Sequence, residues 1–202
     1  MRRHPDGLDD GEGQRFVVQR FVAGRVVNRA ALAWRGIEVA GFTRGRLETH
    51  PGPLGPASVV EFAGLPAVRD ANLRVFAALD LHGFAGAQYM LEPGSDTPLL
   101  IEIHRRMLPA THAGALVGID LSAALRACVD ARSWTGAVDL RAGAGRRLAL
   151  FPQEWLHDPQ SAWLRSLPSD APWHDPPLLE AMLKMPFASH ALPARDVISQ
   201  GP

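Results

Sequence analysis

Apolar and polar positions change period several times along the chain, and each change marks an element. Residues 15–22 and 26–34 are strand-like runs rich in Val and Phe, with Ala23-Gly24 between them as a bulge or turn. A tight turn at Arg35-Gly36 leads into a third strand over 37–44. Residues 45–56 carry Pro51, Gly52, Pro53, Gly55 and Pro56 and are expected to be loop, followed by a short strand over 58–63. After Pro66 the apolar residues Ala67, Ala71, Val75, Ala78 and Leu79 recur at helical spacing, which predicts a helix that stops near His82-Gly83. Residues 84–92 and 98–104 form a hairpin across Pro93-Gly94-Ser95-Asp96. Residues 105–117 are read as irregular, and Asp120 caps a helix over 121–131. A last strand falls at 148–151. Beyond it, prolines at 159, 168, 172, 176, 177, 186 and 193 permit only short helices, such as one over 177–184.

This order predicts an α+β fold: an antiparallel sheet with helices on one side. The expected organisation is a disordered segment over 1–14, one domain over 15–150 and a Pro-rich extension over 151–202. With 47% hydrophobic and 21% charged residues, the 202-residue chain can bury a sizeable core. Twenty-one basic residues balance twenty-one acidic ones, which argues against a nucleic-acid module. No apolar run approaches the roughly 18 residues that span a bilayer. No apolar stretch follows the basic start, and Cys128 is the sole cysteine. The expectation is a soluble, cytoplasmic protein with no nucleic-acid or membrane partner. Lys184 is its only lysine, so no P-loop can be built.

Chemistry concentrates in the hairpin. Side chains alternate faces along a strand, so Gln88 and Met90 share one face, as do Leu100, Glu102 and His104. If residue 91 pairs with 99, then 90 lies opposite 100 and 88 opposite 102. Gln88, Glu102 and His104 then sit together beside an apolar patch of Met90 and Leu100. A carboxylate with two N/O neighbours can hold a divalent cation, and the apolar patch can receive a ring. The structural alternative is that Glu102 pairs with Arg105 or Arg106 at the sheet end. Arg44, Arg46 and His50 flank the Gly/Pro loop, where they either meet an anion or are solvated. His112 is either near a bound acyl-phosphate or a plain surface or capping residue. Cys128 reads as a small buried side chain, and Trp155, Trp163 and Trp173 as anchors of the Pro-rich tail.

The run Gly83-Phe84-Ala85-Gly86-Ala87-Gln88-Tyr89-Met90-Leu91, with Leu100-Ile101-Glu102-Ile103-His104-Arg105-Arg106, resembles the C-terminal subdomain of ATP-grasp ligases of the carboxylate–amine and carbamoyl-phosphate-synthase type. Val18-Gln19-Arg20-Phe21-Val22-Ala23-Gly24 is similar to the family's hinge strand, and Ala57-Ser58-Val59-Val60 and Gly118-Ile119-Asp120-Leu121 fall in the family's order. The resemblance covers roughly residues 16–131. It implies ATP as ligand, with Gln19, Phe21 and Val22 along the adenine and Met90 beneath it. It implies Mg2+, with Mn2+ as the alternative, held by Glu102, His104 and Gln88, and it puts Arg106 on the γ-phosphate or acyl-phosphate. Carboxylate and amine substrates follow from the same likeness. Gln88 replaces a usual carboxylate, His104 replaces asparagine, and Arg105 interrupts Asn-Pro-Arg. The lid subdomain with its lysines has no counterpart here, which points to a lid-bearing partner chain, and an uncovered sheet face with Phe21, Met90 and Leu100 points to self-association or a partner. The alternatives are an inactive nucleotide-binding or interaction module, and a truncated gene product.

Overall fold

The computed structural model describes residues 19–53, 55–95, 97–139 and 144–184. The expected disorder over 1–14, the beginning of the first strand at 15–18 and the chain beyond 184 lie outside the described residues. Among the described residues, six strands form one antiparallel sheet in the order β5-β4-β1-β2-β3-β6. They are β1 (Arg25–Trp34), β2 (Ile37–Thr49), β3 (Ala57–Ala63), β4 (Gly83–Leu91), β5 (Pro98–His104) and β6 (Arg147–Ala149). The helices are α1 (Pro66–Ala78), α2 (Leu121–Val129), α3 (Gln153–His157), α4 (Ala162–Ser166) and α5 (Pro176–Lys184). A 3-10 turn over Thr111–Val117 occupies part of the stretch expected to be irregular. No single helix among the described residues is long and apolar enough to cross a membrane.

Local chemistry accounts for the main turns and caps. At the β1–β2 corner Arg35 and Gly36 both have positive φ, at 53° and 73°, the pairing that a two-residue hairpin turn demands. Pro66 opens α1, where its missing N–H costs nothing. Asp120 caps α2 by accepting a hydrogen bond from the Ala123 backbone N–H at 2.9 Å.

Three sequence expectations change. Helices lie on both faces of the sheet, not one. Val68, Ala71 and Phe76 of α1 pack on the face formed by Val27, Ala31, Ala33, Ala85 and Tyr89. Ile119 and, from α2, Leu121 and Ala124 pack on the opposite face with Ala30, Leu32, Phe42 and Phe62. A strand buried on both faces reads as a nearly continuous apolar run, and Ala30–Ala33 is such a run.

Secondly, residues 19–22 are not strand. β1 begins at Arg25, paired with Leu91 at the end of β4, so residues 19–22 lie past the reach of that partner. Thirdly, β2 runs on through residues 45–49. Gly45, Arg46, Glu48 and Thr49 pair with Glu61, Val60, Val59 and Ala57, with register shifts around Leu47. The Gly/Pro loop is therefore shorter, and Arg44 lies inside a strand.

The layer beneath α1 is tied by a buried polar network. Arg29 of β1 is 1% exposed and donates from Nε to both carboxylate oxygens of Glu38, at 3.1 and 3.2 Å. Its Nη1 donates to Thr43 Oγ1 and to Asp139 Oδ1, both at 3.1 Å. Asn72 of α1 donates to Glu38 Oε2 at 2.7 Å and accepts from the Tyr89 hydroxyl at 3.2 Å. Burial opposes the charge of Arg29, but Glu38 and Asp139 outweigh it and hold the guanidinium above its ordinary value. Burial also pushes the Tyr89 phenol up to about 12.

Candidate functional site

Where α2 ends, the face it covers continues as a polar row across the sheet. Phe62 of β3, Arg44 of β2, Asn28 of β1, Gln88 of β4 and Glu102 of β5 are successive cross-strand partners. Directly paired residues point to the same side of a sheet. The Gln88 amide donates to Asn28 Oδ1 at 3.0 Å, which leaves the Gln88 oxygen to face another ligand. His104 lies two residues beyond Glu102 on the same face, with its Nε2 3.1 Å from Glu102 Oε1.

The hairpin thus brings Gln88, Glu102 and His104 together on adjacent antiparallel strands. Its register differs beyond them. Leu91 pairs with Pro98, Met90 with Leu99 and Tyr89 with Leu100, and an extra residue of β5 is accommodated before Gln88 meets Glu102. This bulge restores the 88–102 pairing but exchanges two leucines. Leu99, not Leu100, stands beside Met90, and Leu100 goes to the Tyr89 side.

A cavity of about 610 Å3 opens over this row. The sheet contributes Asn28, Arg44, Arg46, Gln88 and His104 to its lining, and the segment after β5 contributes Arg106, Leu108 and His112. Phe151, Gln153, Asp170 and Met182 close it from the C-terminal side. The C-terminal segment therefore reaches the same face of the sheet. Glu102 stands outside this lining at the sheet edge, with half of its side chain exposed.

Arg44 is the most unusual residue in the cavity. It is 5% exposed; its Nη2 donates to the Pro109 carbonyl at 2.7 Å, and its Nε has no acceptor. Burial, with Arg46 adding repulsion, pushes its guanidinium down to about 10. The sequence places Arg44 at the end of a strand over 37–44, beside the Gly/Pro loop, and leaves open whether it meets an anion or is solvated. The available signal was an arginine one residue after the apolar-alternating run 37–43.

The other sequence-predicted positions spread out. Arg106 lines the cavity with its Nη1 donating to the Met107 carbonyl at 3.1 Å, so Glu102 pairs with His104 rather than with either arginine. Met90 is half-buried opposite Val26. Gln19 is exposed, Phe21 is 85% exposed and Val22 is half-buried, all upstream of β1 and away from the cavity lining. His112 pairs with Asp170 at 2.9 Å on the cavity wall. His50 leaves the anion face and stacks on His157, with Glu154 3.8 Å away. Trp173 is 72% exposed and pins nothing, and Cys128 is half-buried against the α2 core.

As a metal site the constellation is thin. No cluster of three His, Cys, Asp or Glu side chains that could hold an ion occurs among the described residues. Glu102, the Gln88 oxygen and His104 supply one carboxylate and two neutral ligands. Mg2+ is usually held by one or two carboxylates together with substrate phosphates and water, and this donor set fits only that shared mode.

No family model matches the chain, and no curated protein matches it. Solved structures do overlap it in part. A protein assigned to the ATP-grasp superfamily from Archaeoglobus fulgidus is 13% identical, with a TM-score of 0.40 over 64% of this chain and 39% of that one. D-alanine–D-alanine ligase from Bacillus anthracis is 18% identical, with a TM-score of 0.37 over 55% and 41%. L-amino acid ligase from Bacillus licheniformis is 20% identical, with a TM-score of 0.33 over 48% and 25%. This chain thus spans between a quarter and about two-fifths of these structures. Overlaps this partial do not establish a family or an activity.

Proposed function

We propose that the chain is an ATP-grasp-like domain that binds ATP with a divalent cation, derived from a carboxylate–amine ligase. The observation that carries this reading is the pairing of Gln88 with Glu102, and of Glu102 with His104, at the edge of a cavity that Gln88, His104 and Arg106 line. Glu102, Gln88 and His104 would hold Mg2+ or Mn2+ jointly with the nucleotide phosphates. The bound ion would neutralise charge on the transferring phosphoryl group. Arg106 would add a fixed positive charge at the same phosphates, and Met90 would offer apolar contact to the base. The cavity volume falls within the usual range for small-molecule sites, roughly 300–1,000 Å3.

Turnover needs more than this. The resemblance assigns phosphate-binding lysines to a lid, and this sequence has no lysine before Lys184. We place the chain as one half of such a site, with a lid-bearing chain supplying the other. A non-catalytic binding module is the second reading. It is favoured by Gln88, whose amide is already held by Asn28 and which carries no charge toward a cation.

Paramagnetic NMR tests the placement. Mn2+ added with ATP is expected to broaden resonances of Gln88 and His104 before any others, and Glu102→Gln should suppress that broadening. Broadening centred on Asp130, Asp158 or Asp175, with the hairpin unaffected, would refute it.

A further inference from the structure

We propose that the inner end of the cavity is a receptor for a free small oxyanion, a carboxylate or a phosphate. It is anchored on Arg44 and closed by the C-terminal segment through Gln153, and it fills without nucleotide or metal. This goes beyond the nucleotide reading and stands whether or not ATP binds.

Charge bookkeeping across the cavity leads to it. Arg44, Arg46 and Arg106 line the cavity, and Asp170 is the only carboxylate among the described lining residues. Asp170 is already engaged on both oxygens, by the Phe151 backbone N–H at 2.6 Å and by His112 at 2.9 Å. Arg44 therefore has no counter-charge among the described residues, and it is the most deeply buried of the three arginines. Burying a guanidinium with an unused N–H is costly unless an anion meets it. A planar fork of donors suits the oxygens of a carboxylate or a phosphate.

Opposite in character, Gln153 of α3 has a buried Oε1 with no donor. An unpaired acceptor and an unpaired donor among the residues lining one cavity favour an oxyanion that carries its own N–H or O–H. Hydrogen phosphate is one such ion, and a carboxylate with a neighbouring amine is another. Leu108, Leu150, Phe151 and Met182 line the same space.

The test uses the full chain in EDTA, without ATP or divalent metal, so that its failure is separate from failure of the nucleotide reading. Inorganic phosphate and malonate are titrated by calorimetry and by thermal unfolding, each against sodium chloride at matched ionic strength. The expected result is saturable one-to-one binding of at least one anion, with Tm rising as its concentration passes Kd. A response to phosphate alone identifies a phosphate receptor, and to malonate alone a carboxylate receptor. Arg44→Met should lose at least tenfold in affinity. Its anion-free Tm should be no lower than wild type, because an uncompensated charge has been removed. A merely structural Arg44 would lower that Tm and leave the anion response in place. Should Arg44→Met fail to fold, Arg44→Lys decides: it keeps the charge and loses the fork, and unchanged affinity overturns the proposal. No response to either anion beyond matched chloride also overturns it.

Discussion

Replacing Arg29 by methionine removes the hub of the polar layer under α1. The guanidinium and the Glu38 carboxylate are 1% and 2% exposed, so neither charge is solvated once its partner is gone. Glu38 would keep only the Asn72 amide, and Asp139 would keep Arg69 at 3.5 Å. Removing one member of a buried ion pair costs about 3–5 kcal/mol, because the surviving charge is left without compensation. Against a total stability of about 5–15 kcal/mol, that loss is a third or more for most domains. Urea denaturation followed by tryptophan fluorescence reads the change directly, with midpoint and slope compared between variants. Pairing Arg29→Met with Glu38→Met completes a double-mutant cycle. The double variant is expected to be more stable than Arg29→Met alone, since no carboxylate is stranded. A cost below about 1 kcal/mol for Arg29→Met would refute the reasoning, as would strictly additive single effects.

Tyr89 supplies a pH test. Its neutral phenol is favoured in the fold, with a value near 12 against about 10 in an unfolded chain. That contribution is complete below pH about 10 and is lost as the pH rises through about 12. Tyr89→Phe should be less stable by about 1 kcal/mol at neutral pH, for the lost bond to Asn72. It should also lack this part of the alkaline decline, and identical declines in both proteins would contradict the assignment. Asp120→Ala is expected to cost about 1 kcal/mol through the lost cap of α2, with Asp120→Asn largely rescuing it. Gly86→Ala places a Cβ 2.9 Å from the Arg29 carbonyl oxygen and 2.5 Å from Leu108, so a loss of about 1–3 kcal/mol is expected in the same denaturation assay. Unchanged stability there would mean that the β1–β4 contact is looser than described.

Much of the fold was legible because local chemistry and tertiary packing agree. The Arg35-Gly36 turn, the Pro66 start of α1, the Asp120 cap and the β4–β5 hairpin are each specified within a few residues. What was hidden depended on pairing across the sheet. The β5 bulge has no local signature, so the 88–102 pairing was reached from a register that fails at Met90 and Leu100. Residues 19–22 are strand-like in composition, yet β4 ends before it can pair with them. Arg29 and Glu38 stand at inward positions of apolar strands, a signal present in the sequence, but their meeting depends on the β1–β2 register. Arg44 and Gln153 lie more than a hundred residues apart and line one cavity only because the C-terminal segment folds back to the sheet.

Calorimetric titration of the full chain with ATP and Mg2+ decides whether this face takes up a metal–nucleotide complex. The predicted result is saturable binding that requires the cation, is weakened at least tenfold by Glu102→Gln, and releases no ADP without a lid-bearing partner. Binding that is absent at millimolar Mg2+–ATP, or that persists unchanged in Glu102→Gln, would contradict it.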